Sequence, residues 1–321
     1  MDGLTQRVVD RLLEWGADLV GIAPVERFEN APEGHKPTDF MPECRSVISI
    51  ALHLFDGMAD VWGEHDVPEK TITPYLFYGY GLTNLESSRI VNRMAKAQEY
   101  SGYKTQAFMP TWISSMTKYF DQTLVTNEIQ AEFSHRHAAV AAGIAELGWN
   151  GLTLTPEFGS MQRLNTLLTS AELEPTPQYD GPPLCSPEKC QQKCVRLCPA
   201  KAFSETETQS CVVGDKTLTY AVHDNIRCAY GVHGMIQGSG GRSDVRIPEG
   251  PGQAASYMAT HLAQDEIHPY DKVMLDNCFG IICGDFCGKC LHKCPSKKLS
   301  VKDLKDYDLS SRNSSIHRSR L

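Results

Sequence analysis

Cys185-Ser186-Pro187-Glu188-Lys189-Cys190-Gln191-Gln192-Lys193-Cys194-Val195-Arg196-Leu197-Cys198-Pro199 is the stretch on which the reading of this chain turns. Its four cysteines stand at spacings of x4, x3 and x3, and a proline follows the last. Further along, Cys283-x3-Cys287-x2-Cys290-x3-Cys294-Pro295 closes in the same manner, with Cys278 just before it. The chain has twelve cysteines, and Cys44 alone precedes Cys185. No internal repeat is visible beyond these two runs.

The spacing has a chemical cause. A tight loop wraps three thiolates around one cubane, and the proline fixes the backbone that carries the fourth cysteine to a neighbouring cluster. Paired clusters of the bacterial ferredoxin type use C-x2-C-x2-C-x3-C-P in this crossed way. The first run is longer by two residues in one gap and by one in the next, so Cys185 is its least typical ligand. A structural zinc site asks for two C-x2-C pairs, and here only Cys287 and Cys290 form one. Two 4Fe–4S clusters are therefore expected. Crossed ligation gives one cluster to Cys185, Cys190, Cys194 and Cys294. The other takes Cys198, Cys287, Cys290 and one of Cys211, Cys228, Cys278 or Cys283, among which spacing does not choose.

The rest of the chain bounds the setting. It has 321 residues, 41% of them hydrophobic, enough for one large domain or two with a sizeable core. The net charge of −8 argues against a general nucleic-acid binder, so no nucleic-acid partner is expected, although a tRNA substrate stays open. Charged residues from Arg7 onward break any apolar signal core. The longest strongly apolar stretch, Val47 to Phe55, is far short of the ~20 residues of a membrane helix. A soluble, cytoplasmic protein with no membrane contact is expected, which also disfavours disulfides.

Leu4, Val8, Leu12 and Leu13 recur at helical spacing up to Gly16. Residues 18–23 and 46–52 read as buried strands and 151–154 as another; helices are expected over about 85–100 and about 127–147. This alternation predicts an α/β core over residues 1–175. The Pro-rich segment 174–183 resembles a linker into a cysteine-rich module over 176–300, part of which (212–277) is expected to pack back on the core. Residues 301–321 form a tail whose Ser- and Arg-rich end, from Ser310, reads as solvated. Gly238-Ser239-Gly240-Gly241-Arg242 fits no phosphate-loop pattern and reads as a connector.

Three stretches carry a likeness that goes further: Leu12 to Ala23 with Pro42-Glu43-Cys44-Arg45-Ser46-Val47-Ile48; Arg136-His137-Ala138-Ala139 through Gly148-Trp149-Asn150-Gly151 to Thr155-Pro156-Glu157-Phe158-Gly159; and the paired cysteine runs. Together they resemble the cobalamin-dependent reductases that include reductive dehalogenases and epoxyqueuosine reductase. The resemblance implies a nitroreductase-like α/β (α+β) core holding a base-off corrinoid, followed by a ferredoxin-like double 4Fe–4S module. It also implies that Cys228, in Asn225-Ile226-Arg227-Cys228, completes the second cluster, and that Arg136, Trp149, Asn150 and Gly151 lie in the corrinoid region. Two departures stand out. The Gly-Lys-Asn turn of epoxyqueuosine reductases is replaced by Gly151-Leu152-Thr153, and Ile129 occupies the position of their catalytic aspartate. Thr155 to Gly159 looks more like the dehalogenase branch, whose respiratory members carry an export signal not seen here.

Other residues invite a reading from their own chemistry. His135 and His137, two apart in a helix, point to different faces and do not share a metal. Each is a candidate proton donor, and Arg136 a grip for an anionic group such as a cofactor phosphate, against the plainer reading of a polar helix face. Pro74-Tyr75-Leu76-Phe77-Tyr78-Gly79-Tyr80-Gly81 is an aromatic loop in which Tyr78 is a candidate acid, with core packing the simpler role. Cys44 reads as a small buried hydrophobe. The expected function is an iron–sulfur, corrinoid-dependent reductase. It would cleave a C–halogen or C–O bond of a small molecule with electrons from ferredoxin or flavodoxin. The alternative is an electron-transfer protein without a substrate of its own.

Overall fold

The computed structural model describes residues 2–61, 74–110, 133–232, 287–298 and 309–315. Helix α1 (Gly3–Glu14) starts where the Asp2 carboxylate accepts from the Thr5 N–H at 2.7 Å, satisfying one orphan donor of the first turn. Its buried positions Val8, Val9, Leu12 and Leu13 fall on one face, as helical periodicity requires. Strands β1 (Leu19–Pro24) and β2 (Ser46–His53) are apolar nearly throughout, so both faces of this sheet are covered.

The sheet runs β1-β2-β6-β3, with β3 (Thr105–Ala107) and β6 (Gln162–Thr169), and every pairing is antiparallel. Ile22 sits opposite Ile48, and Ile48 opposite Leu167. On one face α1 and α2 (Thr83–Glu99) bury Leu12, Ile90, Val91 and Met94 against Val20, Ile22, Ile48 and Ile50. Each such aliphatic side chain contributes about 1.5–3 kcal/mol. The other face carries the short helix α3 (His135–Ala141), which packs so closely that a Cβ on Gly21 would lie 2.3 Å from the Ala142 carbonyl oxygen. The fold is mixed α/β, as expected.

The structure corrects the long helix expected over 127–147. Residues 127–132 lie outside the described residues, and α3 stops at Ala141 because Gly143 turns the chain at φ +75°. The Pro177 carbonyl fills the space a side chain there would need, at 1.9 Å from an added Cβ. The chain then forms a small hairpin of β4 (Glu146–Leu147) and β5 (Thr153–Leu154). The aromatic loop is a π-helix, Pro74–Leu82.

The segment read as a linker is pinned to the core. Thr176 donates its N–H to Ile22 O at 2.9 Å and accepts from the Ile22 N–H through Oγ1 at 3.0 Å. Past it lie helical turns at Pro187–Cys190 and Lys193–Arg196, then a long hairpin of β7 (Phe203–Val213) and β8 (Lys216–His223), and α4 (Asn225–Val232). At the tip of this hairpin, Val213 joins Phe28, Phe133 and Val140 in one apolar cluster. The tail is corrected too. Residues 309–315 lie against the core, where the Arg312 guanidinium meets Glu157 at 2.5 Å and caps the carbonyls of Gly143 and Ile144, a buried ion pair that a solvated end would lack.

Candidate functional site: two thiol groups and an adjoining cavity

The tip of the β4–β5 hairpin, Gly148 to Leu152, reaches into the cysteine-rich part of the chain. The backbone N–H of Trp149 donates to Cys185 Sγ at 3.2 Å, and its carbonyl accepts from the Ala221 N–H at 2.9 Å. Asn150 uses both ends of its amide, donating to the Cys290 carbonyl at 3.3 Å and accepting from the Leu152 N–H at 3.1 Å. One turn of backbone thus ties together cysteines from both runs, one through its thiol and one through its carbonyl.

The thiols act on one another in two sets. Burial pushes Cys185 up to about 11, with Cys294 and Cys190 adding to the shift. It pushes Cys194 up to about 12, with Cys294, Cys185 and Cys190 adding. Burial also holds Cys290 well above the ordinary thiol value, with Cys287, Cys228, Cys198 and Cys194 adding. Apolar walls surround both sets. Cys185 and Cys294 border Leu154, Tyr179, Leu184 and Leu309; Cys194, Cys198 and Cys290 border Val195, Phe203 and Ala221, where Trp149 also packs. Among the described residues, no three or more His, Cys, Asp or Glu side chains are arranged to hold a single metal ion. Cys278 and Cys283 lie outside the described residues.

Local backbone is bent to make this possible. Gln191 and Gln192, between Cys190 and Cys194, both take the left-handed conformation (φ 52° and 48°), which costs non-glycine residues about 1–3 kcal/mol each. The two curl the chain within the gap that is one residue longer than the ferredoxin spacing. The Trp149 indole N–H is buried among the described residues without a hydrogen-bond partner. A sulfur-rich group between the thiols would accept it, so the site's donors fit a cluster.

Beside the second set lies a cavity of about 550 Å³. Arg27, Phe28, Asn30 to Pro32 and His35 form one wall, Phe133, Ser134, Arg136 and His137 at the α3 end another, and Asn150 with Gly151 the floor. The β7–β8 hairpin supplies Gln209, Cys211, Val213, Tyr220 and His223. Ser134 caps α3 and bonds His137 Nδ1 at 2.6 Å. Arg136 donates to the Gly151 carbonyl at 2.8 Å. The concave surroundings desolvate its guanidinium and lower its pKa, opposed by Tyr220 and by the thiols Cys228 and Cys290, which marks how near the second set is. Tyr220 is in turn hydrogen-bonded to Cys211.

Of the residues singled out in the sequence, Arg136, His137, Asn150 and Gly151 meet at this cavity. Trp149 belongs to the thiol sets and does not line it. His135 is a structural clamp, held by Thr166 Oγ1 at 2.8 Å and Met109 O at 2.9 Å. Tyr78 stands 60% exposed on the π-helix and is not brought here, while Tyr75 is the buried ring of that segment. Cys44 is buried against Phe28 and Phe133, as expected. The cavity residues missed were Arg27, His35, Tyr220 and His223. A signal for Tyr220 existed: Leu218 and Tyr220 alternate with Thr217 and Thr219 after a Val-Gly-Asp-Lys turn, the pattern of a half-buried hairpin strand.

Sequence comparison finds tetrachloroethene reductive dehalogenases. The enzyme of Desulfitobacterium hafniense is 35% identical over 242 residues, covering 66% of this chain and 42% of the relative. Its relatives are reductive dehalogenases. The Sulfurospirillum multivorans reductive dehalogenase is 29% identical over 196 residues, 59% of this chain and 38% of its own length. This chain thus spans about two fifths of the reductive dehalogenases it matches. No family model matches. Solved structures that resemble it include a reductive dehalogenase described for B12-dependent dehalogenation (16% identity, TM-score 0.49, 83% of this chain and 35% of that one). Another is epoxyqueuosine reductase from Streptococcus thermophilus (17%, TM-score 0.45, 95% and 83%). Among the described residues no helix is long and apolar enough to cross a membrane.

Proposed function

We propose that this chain carries two 4Fe–4S clusters and delivers their electrons to the Arg136 cavity for reductive cleavage of a carbon–halogen or carbon–oxygen bond. The observation that carries this is the sorting of the thiols into two sets that share Cys194 as neighbour, with the cavity beside the second. We assign Cys185, Cys190, Cys194 and Cys294 to the first cluster and Cys198, Cys228, Cys287 and Cys290 to the second. A cubane spreads its four thiolates over a larger body than a single ion does, in keeping with the loose spacing.

When bound, the clusters would supply single electrons and a base-off corrinoid the reduced cobalt that attacks the bond. The described cavity is smaller than a whole corrinoid, so Arg136, Asn150 and Gly151 would meet only part of one. Replacing a C–halogen bond by C–H consumes two electrons and one proton and releases halide, so the site needs a proton source and a charge anchor. Tyr220 bears a proton inside the cavity, and Arg136 supplies the charge. The apolar side chains of Leu154, Leu184, Val195 and Phe203 border the thiol sets. We take ferredoxin or flavodoxin as the electron donor, residues 1–175 as the nitroreductase-like core and 176–300 as the ferredoxin-like module.

Anaerobic reconstitution should yield about eight irons per chain, two cubanes' worth. Cys294→Ala and Cys198→Ala should each damage one cluster by electron paramagnetic resonance, while Cys278→Ala and Cys283→Ala leave both. Four irons, or stoichiometric zinc, would refute the two-cluster assignment. Titrated cobalamin should bind saturably and, as cob(II)alamin, show no nitrogen splitting. Failure to bind would leave an electron carrier.

A further inference from the structure

We propose that the turns from Lys189 to Lys201 form the docking surface for the electron donor, a small acidic one-electron carrier protein. This rests on the cluster reading and names the face through which electrons enter. The chain carries a net charge of −8. Yet the stretch from Cys185 to Lys201 sets four cations, Lys189, Lys193, Arg196 and Lys201, against one acid, Glu188, a net of +3 that leaves −11 for the rest. The positive charge is thus gathered at the first cysteine run, against the sign of the whole molecule.

The fold holds these charges where an electron must pass. Lys189 and Lys193 directly precede Cys190 and Cys194, two thiols of the first set. Arg196 lies across the loop between them, its Nε donating to the Gln191 carbonyl at 2.7 Å and its Nη2 to the Cys190 carbonyl at 3.4 Å. The Lys201 N–H closes a turn on the Cys198 carbonyl at 3.1 Å. Lys189, Arg196 and Lys201 are exposed, and Lys193 is half-buried. Next to Arg196, Leu197 stands 39% exposed, an apolar spot of the kind a protein partner covers while charged groups form the rim. A cationic field draws an acidic protein in and orients it, and Leu197 adds contact on arrival. The same charges could attract RNA. The carrier is favoured because all five residues lie within three positions of a thiol, and the lining of the Arg136 cavity, where a substrate's reacting atoms must sit, is built from others.

The reconstituted chain, with iron counted in the same samples, is mixed by stopped flow with a reduced plant-type ferredoxin, an acidic protein, or with the methyl viologen radical, a small cation. We expect reduction of the clusters by ferredoxin to slow about tenfold or more from about 0.01 M to about 1 M salt, as the Debye length shrinks from about 30 Å to about 3 Å. Reduction by the viologen should not slow. Lys189→Glu with Lys193→Glu should slow the ferredoxin about tenfold at low salt and spare the viologen. Arg7→Glu with Lys96→Glu makes the same charge change at exposed positions of α1 and α2, and should leave both rates near the parent's. Equal slowing by the two double variants, or a ferredoxin rate indifferent to salt, overturns the proposal. So does a tRNA stem-loop that displaces ferredoxin from the parent and loses its own binding in the Lys189 and Lys193 variant. A ferredoxin-binding isotherm on the same samples separates the two readings. Low iron beside binding that keeps its dependence on salt and on Lys189 and Lys193 sinks the clusters and supports the surface; full iron without such binding overturns the surface alone.

Discussion

The indole N–H of Trp149 is buried without a partner, and a lone buried donor costs about 1–3 kcal/mol unless something accepts it. A cluster at the second thiol set would supply that acceptor, since Trp149 packs with Val195, Phe203 and Ala221 where Cys194, Cys198 and Cys290 also border. A donor to cluster sulfur favours the more negative, reduced state. Trp149→Phe keeps an aromatic ring and removes the N–H, so it should lower one midpoint potential by on the order of 50 mV, the one-electron equivalent of about 1 kcal/mol, one net hydrogen bond. A redox titration followed by electron paramagnetic resonance reads this, and unchanged potentials in both clusters would remove Trp149 from the electron path. The family resemblance put Trp149 in the corrinoid region, whereas the structure packs it with the second thiol set. Neighbours along the chain share a turn, and only the fold shows that residue 149 faces the thiols while 150 and 151 face the cavity.

At the scale of elements, the cysteine runs were legible because ligand spacing is a local property. The docking of the β7–β8 hairpin tip and of the 309–315 segment was not, because the residues they pack on lie far away in sequence. Nothing near Arg312 announces that Glu157 will accept it 155 residues back. The pair is deeply placed, with side-chain exposures of 10% and 2%. Arg312→Met should therefore cost about 3 kcal/mol, because it strands a buried carboxylate. The double variant with Glu157→Gln should recover part of the loss. Denaturant midpoints of the three chains decide it; a single variant as stable as the parent would mean that the segment is not held by this pair. The helix expected over 127–147 failed for the same reason. Apolar periodicity ran on through Ala141 and Ala142, while the Pro177 carbonyl against Gly143 ended the helix from outside.

At the scale of the whole molecule, three histidines among the described residues, from two separate elements, are held neutral. Burial lowers His135, His137 and His223 to about 4 from the 6.5 of a free imidazole. Between those values the unfolded chain binds protons that the folded chain refuses. Their contribution is complete above the unfolded value and is lost as pH falls toward about 4. Melting temperatures of the reconstituted chain should drop between about pH 7 and 5, less steeply in His135→Gln, whose replaced ring accepts from Thr166 and donates to Met109. Identical slopes would show that His135 takes up its proton freely. The mixed α/β class was readable from alternating apolar segments, but not the antiparallel strand order, which long-range pairing sets. That pairing bears on how the chain reaches its fold. The outer edge of β1 is covered by Thr176 at one end and at the other by residues 313–315, where Val20 donates to Asn313 O and Ser315 to Asp18 O. During synthesis, Asp18 and Val20 therefore wait with bare backbone groups until almost 300 further residues have left the ribosome, since Asp18 and Ser315 are 297 apart. An edge left open that long invites pairing with neighbouring nascent chains. Slow translation or scarce chaperone would thus hurt the yield of this protein more than its final stability suggests.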